Sequence, residues 1–441
     1  MIRLLFTLLI EAASAMSLIN GVGKLPTLGW NSWNAFECSI TESQVLSAAQ
    51  NLIDLGLKDA GYTYVNIDDC WNDRSRDPTT HRLQPDLGKF PDGIKGIASR
   101  VHNMGLKMGI YSSAGKTTCK KLPASLGYEL IDAETWAEWQ IDYLKLDDCG
   151  VPREWKDDCL ACVPDSRKTH YVYMNGTCKN LAGNWCPSDY DFRRSKTYQR
   201  YKAMRDAILA QSRPMIYSIC NKGKGGIPGW GNEIGHSWRS TEDIDPEWSR
   251  ILEIINQNSF YMNHVNFYGR PDADMLEIGN GDLTLAESRS HFAFWAAMKS
   301  PLLIGTDLSQ LSQEHIRILK NDVLLAFNQD DVYEGPAMPF KWDWTFSPTN
   351  PAEFWSGQFQ RGILILLLNV EFAPRNMSVN WEEVPQLGDG SYWVTDGWTG
   401  ESLGCLSDGI AVEVETHDTR ILLVGNRCWS SEGRYRPMWW K

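Results

Sequence analysis

Three observations on this 441-residue sequence predict an α/β fold. Eight short strand-like segments alternate with helical ones as far as about residue 322. Three of those segments end in carboxylates. Beyond residue 344 the helical period gives way to short strands separated by turn residues. Eight β-then-α units imply a (β/α)8 (TIM) barrel with right-handed crossovers, and the later strands imply a small C-terminal antiparallel β-sandwich.

The barrel strands are expected near Gly29–Asn34, Tyr64–Asp69, Lys107–Ser112, Tyr143–Asp147, Pro214–Cys220, Ser237–Thr241, Asp274–Ile278 and Pro301–Gly305. Between the first two, Thr41 and Gln44 can form a capping box. Val45, Ala48, Ala49, Leu52 and Ile53 then recur at helical spacing until Gly56. Ile94, Ile97, Val101 and Met104 repeat the pattern up to Gly105. Thr284 and Glu287 cap the segment that carries Phe292, Trp295 and Met298 towards the eighth strand. These units place the barrel over residues 16–327, and Gly335, Pro336 and Pro339 mark a linker over 328–344. In the sandwich, residues 345–441, strands are expected at Gly362–Val370, Ser391–Thr395, Ile410–Glu415 and Thr419–Gly425. Gly388-Asp389-Gly390 and Asp396-Gly397 supply turns. Residues 151–196, rich in Cys, Pro, Asn and Lys, make a long excursion after the fourth strand, on the face where active-site loops belong.

Residues 1–15 read as a secretory signal: Arg3, the apolar run Leu4 to Ile10, then Ala13-Ser14-Ala15. Eleven cysteines support export, as do acceptor sequons at Asn175-Gly176-Thr177 and Asn376-Met377-Ser378, so a secreted, disulfide-bonded glycoprotein is expected. A net charge of −12 argues against nucleic acid or an anionic membrane as partner. Cys159-Leu160-Ala161-Cys162 has no second CxxC to complete a metal site, which makes loop disulfides the better reading. Among the twenty tryptophans most should be core, while a few could pack on the apolar faces of sugar rings.

The carboxylate-ended runs are Ile141-Asp142-Tyr143-Leu144-Lys145-Leu146-Asp147-Asp148-Cys149, Ser237-Trp238-Arg239-Ser240-Thr241-Glu242-Asp243 and Tyr64-Val65-Asn66-Ile67-Asp68-Asp69-Cys70-Trp71. A single Asp is as easily a helix cap or turn residue. Three such ends with cations and tryptophans beside them suit glycoside hydrolysis, in which one acid attacks or activates water and the other protonates the leaving group. Lys145 and Asp147 share one side of their strand, so the ammonium is expected to lower the pKa of Asp147. On sequence alone Glu242 and Asp243 are equal candidates for the second acid. Asp68 and Asp69 could hold Mg²⁺ or Ca²⁺, but no calcium loop and no converging histidines accompany them, so neither metal nor cofactor is expected. His236 and His264 read as structural.

Gly29-Trp30-Asn31-Ser32-Trp33-Asn34, Ile67-Asp68-Asp69-Cys70-Trp71, Gly109-Ile110-Tyr111, Tyr143-Leu144-Lys145-Leu146-Asp147, Ser237-Trp238-Arg239 with Asp243, and Asp274-Met275-Leu276 occur in one order. In this the chain resembles the α-galactosidases (melibiases) of glycoside hydrolase family 27, most of all the secreted fungal members, from about Val22 to Cys428. The resemblance implies Asp147 as nucleophile, Asp243 as general acid/base and Arg239 as a substrate contact. It further implies that Asp68 and Asp69 grip the 4- and 6-hydroxyls of the sugar, that Trp33 and Tyr111 wall it, and that Asp274 is another contact. Disulfides are implied for Cys119 with Cys149 beside the nucleophile and for Cys38 with Cys70. Cys405–Cys428 is expected as a further pair. In the long loop the sequence leaves the pairing open, Cys162–Cys178 nested inside Cys159–Cys186 being one arrangement, with Cys220 then left as a thiol.

One departure follows the fifth strand. Where many members carry Glu-Trp, this chain has Cys220-Asn221-Lys222-Gly223. Asn221 can still serve a 2-hydroxyl, whereas Lys222 removes a stacking surface from the leaving-group side. The implied protein is a secreted, retaining exo-α-galactosidase acting on galactose-containing oligosaccharides or polysaccharides. The alternatives are an α-N-acetylgalactosaminidase and a catalytically silent galactose-binding protein on the same scaffold.

Overall fold

The computed structural model describes residues 19–163, 165, 167, 178–179, 184–342 and 350–428. The expected leader at 1–15 and the Asn175 sequon lie outside the described residues.

Eight parallel strands form one sheet: β1 (Leu28–Asn31), β2 (Tyr64–Asn66), β3 (Lys107–Ser113), β4 (Tyr143–Asp147), β5 (Ile216–Cys220), β6 (Ser237–Arg239), β7 (Arg270–Asp272) and β8 (Leu302–Ile304). Their order is β7-β6-β5-β4-β3-β2-β1-β8. Apart from Lys107 and Lys145 these strand residues are buried, because helices cover the outer face and side chains fill the interior. The helix Glu42–Asp54 buries Val45, Ala48, Ala49 and Leu52, the stripe its spacing predicts. Thr284 and Glu287 make a complete capping box on the helix Leu285–Ala297. At Thr41 the hydroxyl instead meets the Gln44 side chain at 2.8 Å and no side-chain cap is formed. Trp30, Trp71, Trp136, Trp238 and Trp295 are fully buried core.

The seventh strand differs from expectation. It is Arg270–Asp272, not 274–278, because Asp274 takes a left-handed backbone (φ 84°) that breaks the ladder. The Asp272 carboxylate accepts from the Asp274 N–H at 2.9 Å and stabilises that turn. Beyond it Leu276 returns to β8. Its N–H donates to Leu303 and its carbonyl accepts from Gly305, each at 2.8 Å, which closes the barrel.

The C-terminal region adds β9 (Met338–Lys341), β10 (Phe354–Phe359), β11 (Gly362–Leu368), β12 (Arg375–Asn380), β13 (Ser391–Asp396), β14 (Ser402–Ser407), β15 (Gly409–Val414) and β16 (Thr419–Arg427). A six-stranded antiparallel sheet, β14-β13-β16-β11-β10-β9, faces the β12-β15 pair over Phe354, Leu367, Met377, Trp381, Val414 and Leu422. Four of these strands were not expected. β9 lies inside the segment read as linker and is an edge strand, where Pro339 is tolerated. β12 buries only Met377 and Val379, and β14 buries none of its residues fully, so neither carries a strong apolar signal. β10 reads Phe-Trp-Ser-Gly-Gln-Phe, without strict alternation. Asn376, on β12, is exposed. No helix among the described residues is long and apolar enough to cross a membrane.

Candidate active site

The C-terminal ends of the barrel strands open on a cleft of about 650 Å³. Trp33 follows β1, Asp68 and Asp69 follow β2, Tyr111 lies on β3, Lys145 and Asp147 on β4, and Cys220 ends β5. Lys222 stands just beyond β5, Arg239 ends β6, Asp243 follows it, and Asp274 sits on the turn after β7. The Cys119–Cys149 pair joins the same lining. A neighbouring cavity of about 770 Å³ lies under the 151–196 excursion and takes Asp148 and Glu242 instead. Asp148 is held there by Arg200 and Lys224, each at 2.9 Å.

Asp147 is buried, and its Oδ2 accepts from the Tyr111 hydroxyl and its Oδ1 from the Asp148 N–H, both at 2.8 Å. Burial pushes its pKa above the usual carboxylate range, although the Lys145 ammonium and these two donors pull the other way. The expected lowering by Lys145 is therefore outweighed. Lys145 Nζ itself bonds Asp68 Oδ2 at 2.8 Å. Asn31 donates to the same oxygen at 3.0 Å. Asp69 accepts from the N–H groups of Cys70 at 2.7 Å and Lys120 at 3.0 Å, yet burial raises its pKa.

Asp243 is the most accessible of these acids, its side chain 55% exposed. Arg239 reaches its Oδ1 at 3.0 Å and Lys222 its Oδ2 at 2.7 Å. Burial works against the charge, but the guanidinium and the ammonium win and hold its carboxyl well below the usual range. Arg239 also meets Asp274 Oδ2 at 2.5 Å, and Asp274 accepts from the N–H groups of Ile244 and Met275, both at 2.8 Å.

Asn221 is the exception among the expected residues. It is fully buried, its amide donates to the Lys224 carbonyl at 2.9 Å, and it does not line the cleft. Side chains alternate along the end of β5, so Cys220 and Lys222 face the cleft and Asn221 faces away. The Asn221 amide N–H that a 2-hydroxyl would take is thus already given to the Lys224 carbonyl.

Disulfides join Cys38–Cys70, Cys119–Cys149, Cys159–Cys186, Cys162–Cys178 and Cys405–Cys428, and Cys220 is a buried free thiol. Cys119, Cys149 and Asp147 converge in a metal-like cluster, but sulfurs joined to each other offer no thiolate. His236 is buried, accepts from the Tyr217 N–H, and burial lowers its pKa to about 3.

Glu277 was not anticipated. It lines the cleft, accepts from Asn34 and, at 2.6 Å, from Asn280, and burial raises its pKa to about 7. No sequence signal joins it to Asn34, 243 positions away.

Fold and cleft together define a barrel enzyme with facing carboxylates in a site lined by hydroxyl-binding groups. The family described as Alpha galactosidase A matches residues 25–162 and 180–330, and the Alpha galactosidase C-terminal beta sandwich domain matches residues 349–424. The Probable alpha-galactosidase B of Aspergillus oryzae is 54% identical over 432 residues, 95% of this chain and 97% of its own length. That of Talaromyces emersonii is 54% identical over 93% of this chain and 94% of its length. Among solved structures, alpha-galactosidase I from Mortierella vinacea superposes with a TM-score of 0.78 at 33% identity, over 92% of this chain and 98% of that one. An α-galactosidase from Saccharomyces cerevisiae, solved with raffinose, gives 0.75 at 27% identity over 92% and 98%. The chain belongs to the α-galactosidase family of glycoside hydrolases, family 27.

Proposed function

We propose that this chain is a secreted, retaining exo-α-galactosidase that removes terminal non-reducing α-D-galactosyl residues from galacto-oligosaccharides and galactomannans. The observation that carries the reading is the presence of Asp147 and Asp243 in one cleft with Asp68, Asp69, Lys145 and Arg239. Asp147 attacks the anomeric carbon while Asp243 protonates the departing glycosidic oxygen. Asp243 then acts as base on the water that releases galactose. Asp68 and Asp69 keep lone pairs beyond those given to Lys145 and the backbone, and accept from the axial 4-hydroxyl and the 6-hydroxyl. Trp33 and Tyr111 wall the ring. The cleft needs no cofactor for this chemistry. Five disulfides suit an oxidising destination, and the exposed Asn376 suits glycosylation. The raffinose bound to the yeast relative supports a galactosyl oligosaccharide as substrate.

A proton-NMR time course on an aryl α-galactoside tests activity and stereochemistry together. Two displacements give α-galactose first. If β-galactose comes first, attack is by water and the carboxyls act as an inverting pair, which needs about 6.5–9.5 Å between them against about 5–5.5 Å for retention.

A further inference from the structure

Asp243 is gripped at both oxygens, and the two grips differ in kind. Arg239 is buried at the end of β6 and shared with Asp274, so withdrawing it would strand a buried carboxylate. Lys222 stands beyond β5 on a left-handed backbone (φ 57°), and its ammonium spans Asp243 at 2.7 Å and Glu242 Oε2 at 3.2 Å. It therefore sits where the 650 Å³ cleft meets the 770 Å³ cavity that Glu242 lines. Lys145 on β4 adds a more distant positive charge. On the acidic side stand Asp147 on β4, Asp274 after β7, and Glu242 and Asp245 on the loop of Asp243 itself. Arg167 and Arg250 bond the main-chain carbonyl of Asp243, at 2.8 and 3.1 Å.

A group that protonates a leaving oxygen has to carry that proton beforehand. A carboxylate bonded to two cations does not.

We propose that Lys222 is a positioning residue for the leaving group: its ammonium clamps Asp243 in the open cleft and passes its hydrogen bonds to hydroxyl oxygens of an arriving sugar, which releases Asp243. This rests on Asp243 being the general acid/base. Once released, Asp243 takes one proton from solvent and gives it to the glycosidic oxygen. The C1–O bond breaks with its electron pair on that oxygen, while Asp147 forms the new bond to C1. An ammonium has three donors and no acceptor, so only a leaving group rich in oxygen acceptors can replace Asp243 as its partner. A polyhydroxylated leaving group meets that need. An aryl ring does not.

The experiment compares raffinose with 4-nitrophenyl α-galactoside across pH for the unmodified enzyme, Lys222→Met, Lys222→Arg and Asp243→Ala. Removing one adjacent cation raises a carboxyl pKa, so the alkaline limb of kcat/KM should move up by about one unit or more in Lys222→Met and stay put in Lys222→Arg. With each protein compared at the pH of its own maximum, the raffinose-to-aryl ratio should fall about tenfold in Lys222→Met, the worth of a charge-assisted hydrogen bond. Lys222→Gln, neutral but still polar, carries the same pH expectation if the Met variant folds poorly. An unmoved limb or an unchanged ratio overturns the role given to Lys222. Should the alkaline limb survive in Asp243→Ala, Asp243 is not the acid, and the functional reading itself fails.

Discussion

Lys145 Nζ lies 2.8 Å from Asp68 Oδ2, so the lysine two positions before Asp147 is bonded across the barrel interior to the end of β2. The pair is nearly dry: Asp68 is 3% exposed and Lys145 14%. One cation thus bonds the Asp68 carboxylate directly and acts on Asp147 through space.

Lys145→Met should accordingly cost stability as well as activity, on the order of 3–5 kcal/mol, because it leaves Asp68 as a buried charge without its cation. Adding Asp68→Asn removes that charge. Denaturant melts should find the double variant more stable than Lys145→Met alone, with activity still absent. A double variant no more stable than the single one would show that the cost is lost packing, not an unpaired charge.

Asp147→Ala should abolish turnover on every substrate, since no other group in the cleft is placed by β4 to form the glycosyl bond. Asp243→Ala should spare activated aryl galactosides in part, general acid help being worth about 10²–10⁴-fold, and should gain activity from azide, which takes the galactosyl group from Asp147 as α-galactosyl azide. The electrostatics of the open cleft, with Asp147 raised and Asp243 lowered, run against these roles. Azide rescue is therefore a strict check: if it appears in Asp147→Ala instead, yielding α-galactosyl azide, the roles are exchanged.

Glu277 should make the protein lose stability as pH rises. Its carboxyl titrates near 7 in the folded chain against an ordinary 4.5, so the folded state holds the extra proton between those values. Stability from this group is fully present below about pH 4.5 and is lost by about pH 7, on the order of 3 kcal/mol in all. His236 and His291, both lowered to about 3 by burial, act in the opposite sense but equally in any Glu277 variant. Thermal melts of Glu277→Gln and the unmodified protein at pH 4.5 and 7.5 isolate the effect of Glu277. The variant's relative Tm should rise across that interval, and parallel curves would remove Glu277 from the account.

Asn221→Ala should leave the preference for α-galactosides over α-N-acetylgalactosaminides where it is, because the amide bonds the Lys224 carbonyl and not the cleft. The cost is to stability, about 0.5–1.5 kcal/mol for the lost hydrogen bond to the Lys224 carbonyl. Parallel kcat/KM values on the two aryl glycosides decide it, and a change in their ratio would place Asn221 against the sugar after all.

Strands and helices with strong periodicity were legible, and so were the carboxylates at the ends of β2, β4 and β6, since each lies next to a buried run that fixes which way it points. The seventh strand was misplaced because its ladder stops at a left-handed Asp274, and left-handed backbone leaves little mark in a sequence. β12 and β14 escaped notice because they are half-buried, and a weak alternation looks like loop.

By itself the sequence determined the alternation of strand and helix, the identity of the acids and the order of the motifs, all local properties of the chain. Tertiary structure alone decided partners. It gave Lys145 to Asp68, turned Asn221 out of the cleft, set Lys222 on Asp243, and brought Asn34 to Glu277 across 243 positions. The physical reason is that charge and hydrogen-bond energies depend on distance and burial, which are set by how the strands close into a barrel and not by separation along the chain.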